Sequence, residues 1–126
     1  MDFLYNLDIS EKEIMEMIRN NKELLFLDDE KIKEVIYFLV KCGCTQKKIR
    51  NIIVANPYCF GRDVSDMEEV VGKIKDLGIN DIDMFLENNP WLLSKDGFEI
   101  DEFVTEKQNE GIEKEDILDM LETAFV

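Results

Sequence analysis

Ile52-Ile53-Val54-Ala55-Asn56-Pro57-Tyr58-Cys59-Phe60 is echoed 33 residues later by Phe85-Leu86-Glu87-Asn88-Asn89-Pro90-Trp91-Leu92-Leu93. Each stretch holds two adjacent apolar residues, an Asn-Pro pair, and two more apolar residues. Proline disfavours the α conformation in the residue before it, so a helix carrying the first apolar pair stops at the asparagine. The residues after the proline are too apolar for an exposed loop, which predicts a short turn of 3₁₀ or α helix tucked into the core.

Moving outward from these stretches, the frame recurs along most of the chain. Ile14, Ile49, Ile82 and Ile117 occupy one position, and seven residues after the first three come Asn21, Asn56 and Asn89. A further 22 residues lead to Gly43, Gly78 and Gly111. Only the link from glycine to the next isoleucine varies, at six, four and six residues, as expected of loops between stacked units. Met17-Ile18, Ile52-Ile53, Phe85-Leu86 and Met120-Leu121 lie three and four residues after the anchor isoleucine, on one helical stripe. Leu24-Leu25, Cys59-Phe60 and Leu92-Leu93 come after the asparagine in register. Val35-Ile36-Leu39, Val70-Val71-Ile74 and Phe103-Val104 form a second stripe that ends at the glycine.

Each unit therefore reads as two helices. Ser10, Thr45 and Asn80 are suited to N-cap a first helix of about three turns. Lys22 stands where the other units have proline, which predicts a softer stop there. A second helix is expected to start near Asp28 or Asp29, near Ser65, and near Gly97-Phe98. It closes at a glycine in the left-handed C′ conformation. At the start of the chain Leu4, Leu7 and Ile9 match Leu39, Cys42 and Cys44, with Asp8 in the glycine position. The fold class is all-α: a right- or left-handed solenoid of about three stacked helix-pair repeats with short crossing turns. It divides into a partial unit at 1–9, units at 10–43, 44–78 and 79–111, and a terminal helix at 112–126. Phe3, Tyr5, Phe125 and Val126 are candidate end caps or self-contacts.

An N-capped helix with an isoleucine, then Asn-Pro-x and two apolar residues, then a closing segment such as Ile74-Lys75-Asp76-Leu77-Gly78-Ile79 resembles the mitochondrial transcription termination factor (mTERF) repeat. The resemblance covers residues 4–123 and suggests a short, acidic member of bacterial type. It implies antiparallel helix pairs joined by short crossing helices and stacked into a curved solenoid. It also implies an inner face that is typically basic and binds nucleic acid, although some members engage a protein. This chain departs in having few units and a net charge of −14.

That charge is unevenly spread. Nine acids and three bases give residues 1–30 a charge of −6, five acids and nine bases give 31–75 a charge of +4, and fifteen acids and three bases give 76–126 a charge of −12. Lys41, Lys47, Lys48 and Arg50 cluster in the basic middle, and Lys31, Lys33, Arg62, Lys73 and Lys75 extend it. With Ile49, Ile52 and Ile53 turned inward, Lys47, Lys48 and Arg50 are expected to point outward. Two readings stand side by side: an anion- or partner-binding patch, or lysines that balance nearby acids.

Catalytic chemistry finds no support. The chain has no histidine, which removes Ser-His-Asp and Cys-His arrangements. Its glycines are isolated and form no phosphate loop. Cys42, Cys44 and Cys59 lack metal-site spacing and read as buried small hydrophobes, so no metal or cofactor is expected. Asp28-Asp29-Glu30 and Asp63-x-x-Asp66 read as helix N-terminal charge. Trp91 and the set Met15, Met17, Met67, Met84 and Met120 read as core or rim. The N-terminus shows no signal peptide, and no apolar run approaches membrane-spanning length, so a cytoplasmic location is expected. Net charge disfavours a polyanion. The expected partner is an unidentified protein, with DNA or RNA as the alternative, no membrane, and self-association through end units left open.

Overall fold

A computed structural model describes residues 6–124. Among them every regular element is helical. The first helices are α1 (Glu11–Asn20), α3 (Gln46–Ala55) and α5 (Ile82–Asn88), and the second helices are α2 (Asp29–Lys41), α4 (Val64–Lys75) and α6 (Gly97–Asn109). Between the members of each pair lie 3₁₀ turns: η1 (Lys22–Phe26), η2 (Pro57–Gly61) and η3 (Pro90–Ser94). A final helix, α7 (Lys114–Ala124), packs against α6.

Like elements stack on like. α1, α3 and α5 form one row, α2, α4 and α6 a second, and the crossing turns a third. The anchor isoleucines Ile14, Ile49, Ile82 and Ile117 are all buried, together with Ile52, Ile53, Phe60, Val70, Ile74, Leu86 and Leu93. One continuous core runs through every unit, as a stacked array requires.

The local signals act as their chemistry dictates. Ser10 accepts from the Glu13 amide while the Glu13 carboxylate accepts from the Ser10 amide, a reciprocal capping box. Thr45 accepts from the Lys48 amide, and Asp28 from the Lys31 amide. Gly43, Gly78 and Gly111 hold φ of 90°, 97° and 83°, the left-handed region in which a Cβ is disfavoured. Asp8, in the matching position of the partial unit, has φ 59°. Cys44 N–H donates to the Leu39 carbonyl across Gly43, and Ile112 N–H to the Lys107 carbonyl across Gly111, which closes α2 and α6.

Four details of the helices and their packing differ from expectation. α5 starts at Ile82 itself, with Asp81 rather than Asn80 at its N-cap position and no side-chain cap. The four-residue link after Gly78 leaves no length for the turn that precedes Ile14 and Ile49 in the other units. The stop at Asn21 is as sharp as that at Asn56, with φ −140° and −137°, although Lys22 replaces proline. Leu25 and Phe26 are 58% and 86% exposed, whereas Phe60 and Leu93 are fully buried. η2 stacks on η1 and η3 on η2, while no described crossing turn precedes η1 to cover Leu25. Met15 and Met84 are exposed rather than in the core, unlike Met17 and Met67. Phe3, Tyr5, Phe125 and Val126 lie outside the described residues.

The three asparagines are buried polar groups and each finds a partner. Asn21 Nδ2 donates to the Pro57 carbonyl at 3.3 Å, and Asn56 Nδ2 to the Pro90 carbonyl at 2.8 Å. The Ser94 hydroxyl donates back to Asn56 Oδ1. Replacing Asn56 with alanine strands the Pro90 carbonyl, and such losses cost about 1–3 kcal/mol. Urea unfolding should show a lower midpoint for Asn56→Ala with an unchanged slope.

Candidate functional site

The four cations singled out in the sequence do not form one surface. Arg50 donates from Nη2 to Glu13 Oε1 at 3.1 Å, linking α3 back to α1. Lys48 pairs with Asp83, linking α3 forward to α5. Both pairs are half-buried between units rather than pointing outward. Lys41 and Lys47 are exposed, but on separate grooves. Lys47 shares one of about 320 Å³ with Leu7, Asp8, Gln46 and Arg50. Lys41 lines another, of about 170 Å³, with Phe38, Cys42, Glu68, Val71, Gly72 and Lys75.

The pairings obey a rule in the repeat frame. Glu13 and Lys48 each precede their anchor isoleucine by one residue, and Arg50 and Asp83 each come one residue after theirs. A charge just before one anchor thus meets the opposite charge just after the next. Other central cations serve the stack as well. Lys31 Nζ donates to the Arg62 carbonyl at 2.6 Å. Arg62 donates to the Ser94 and Lys95 carbonyls at 3.0 and 2.8 Å. In each case a cation on one unit meets carbonyls at the end of the next unit's crossing turn, where helix-end partial negative charge favours it. Lys73 pairs with Asp101 between α4 and α6. Spacings near one period were the signal in the sequence, and composition alone did not reveal it.

The surface between α2 and α4 has a different character. Phe38, Cys42 and Val71 are buried at its floor. Tyr37 and Val40 stand exposed on α2 at 66% and 52%. Gly72 lies inside α4, is exposed, and a Cβ built there would meet nothing within 4 Å. At Gly97, by contrast, a Cβ would meet Glu69 Cδ at 2.7 Å. Lys41 and Lys75 enter no ion pair among the described residues.

No group of described side chains is arranged to hold a metal ion. Burial pushes the thiols up, Cys42 to about 11 and Cys44 and Cys59 to about 12, so all three stay neutral and unreactive at neutral pH. The Arg50 hydrogen bond holds Glu13 below its ordinary 4.5, and the Lys48 hydrogen bond holds Asp83 below 3.8. The Asp83 hydrogen bond raises Lys48 above 10.5. For a lowered carboxylate the stabilising share is complete above its ordinary value and is lost as pH falls through the lowered one. For Lys48 it is complete below 10.5 and lost only as pH rises through the raised value. Urea midpoints measured on acidification below pH 4.5 should therefore fall more steeply for the native chain than for an Arg50→Met/Lys48→Met variant.

Among the described residues no helix is long and apolar enough to cross a membrane. No curated protein and no solved structure matches the chain. Residues 1–72, more than half of the sequence, match the mTERF family. That match ends inside α4, and the third unit repeats the same helix, crossing turn, helix and glycine beyond it. Sharing the all-helical repeat architecture of a family of binding modules, the chain belongs to the mTERF family.

Proposed function

We propose that this chain is a non-enzymatic, cytoplasmic binding module that grips another protein through the surface of its stacked helices. One observation carries the reading: five of the nine cations in residues 31–75 are turned to the stack. Lys31, Lys48, Arg50, Arg62 and Lys73 all contact neighbouring units. The charge presented outward is therefore dominated by the acids of a chain at −14. A phosphate-tracking surface needs several basic contacts along one path. Here Lys47 lies on one groove, and Lys41 with Lys75 on another.

Exposed Tyr37, Tyr58 and Phe98 offer the large amphipathic and aromatic area that protein interfaces favour. The absence of histidine and the raised thiols support a role without catalysis. Membership of the mTERF family favours nucleic acid as the second reading, with Lys41, Lys47 and Lys75 as its contacts.

Titration with generic duplex DNA and duplex RNA at low salt separates the two. The protein-binding reading expects no saturable binding. Micromolar affinity that falls steeply with salt, and disappears in a Lys41→Glu/Lys47→Glu/Lys75→Glu variant, would assign the surface to nucleic acid instead.

A further inference from the structure

We propose that the groove between α2 and α4 docks an acidic helical segment of a partner protein, seated by one aliphatic side chain beside Gly72. The inference rests on the protein-binding reading above and adds to it a place and a partner chemistry.

Gly72 is the starting point. A glycine inside a helix is destabilising relative to alanine. Gly72 has helical neighbours on both sides within α4, and a Cβ there would occupy open space. Neither its backbone nor its packing within this chain requires it. Its effect is to keep the groove open from above. In the repeat frame Gly72 occupies the position held by Tyr37 in the first unit, 16 residues after the asparagine. One second helix thus raises an exposed aromatic ring where its neighbour removes the side chain altogether.

The groove so formed takes about 170 Å³, and Phe38, Cys42 and Val71 give it an apolar floor. The Cys42 thiol stays protonated and leaves that floor uncharged. An aliphatic side chain fits both the volume and the polarity, and an amphipathic helix laid along a groove is the usual way to deliver one.

Charge selects and orients the segment. Lys41 and Lys75 stand at the end of the groove formed by the last turns of α2 and α4, and Glu68 stands two turns earlier on α4. Two ammonium groups without an ion pair among the described residues attract carboxylates at that end. Glu68 repels them at the other. The docking segment therefore carries its acids to one side of its aliphatic anchor. Only this segment need be acidic, because its complement is the local pair of lysines rather than the whole chain.

A displayed library of helical peptides, selected on the full chain, tests this. Enriched peptides should carry two carboxylates within a turn of a leucine, isoleucine or valine. Their affinity should fall at least about tenfold in Gly72→Leu, which fills the groove, and in Lys41→Glu/Lys75→Glu. Gly72→Ala should raise the thermal midpoint, since it relieves a helix-interior glycine without a steric clash, and so reports that this position tolerates a side chain. Enrichment of basic peptides, or no enrichment, overturns the proposal. Peptides that bind equally to Gly72→Leu and to the lysine variant also overturn it, but leave protein binding intact on another surface. Saturable duplex binding lost in the same lysine variant overturns both this inference and the reading beneath it.

Discussion

A buried carboxamide at the end of each first helix governs how the units meet. The helix must stop where its chain turns into the crossing segment, and the stop leaves polar backbone inside an apolar core. Proline at the next position supplies a fixed φ and a carbonyl but no N–H. The asparagine of the preceding unit reaches that carbonyl, Asn21 to Pro57 and Asn56 to Pro90. Each bond satisfies a buried donor and a buried acceptor together, across a boundary between units. Asn89 has its own arrangement, donating to the Phe85 carbonyl and to the Glu122 carboxylate of α7. The same residue type thus ends a helix and registers the next unit, which explains why its spacing is constant while the link before the isoleucine varies.

Electrostatics is a consequence of that registration. Once units are stacked in register, positions one period apart become neighbours, and a basic unit between acidic ones is complementary on both sides. Arg50 faces Glu13 and Lys48 faces Asp83 across successive boundaries. The +4 segment then reflects its place in the array. This changes the functional meaning of the cluster. Lys31, Lys48, Arg50, Arg62 and Lys73 are taken up by the contacts that hold the array together. Exposed beside them stand many of the chain's carboxylates and side chains such as Tyr37 and Val40.

Much of the architecture was legible in the sequence because its causes are local. Asn-Pro ends a helix, glycine takes a left-handed turn, and an apolar stripe at three and four residues buries one face. Even Asp8 declared its positive φ by standing in the glycine position. The misses arose where a neighbour in space decides the outcome. Leu25 has the same chemistry as Leu93 but no described crossing turn over it. Lys48 and Arg50 look like outward charges on an isolated helix and become staples when helices α1 and α5 lie alongside. Applying the repeat period to charges as well as to apolar residues would have exposed both pairs. The groove at Gly72 gives no such warning, since an isolated glycine in a helical pattern shows its role only when its surroundings are seen.

Charge exchange across one boundary tests most directly whether these cations belong to the stack. Lys48→Asp and Asp83→Lys, made singly and together, form a double-mutant cycle read by urea unfolding. If the pair joins the second unit to the third, each single change lowers the midpoint by placing like charges together, and the double exchange recovers most of the loss. Single and double variants that unfold with additive losses, with no recovery, would contradict the assignment of the central basic unit to inter-unit contacts.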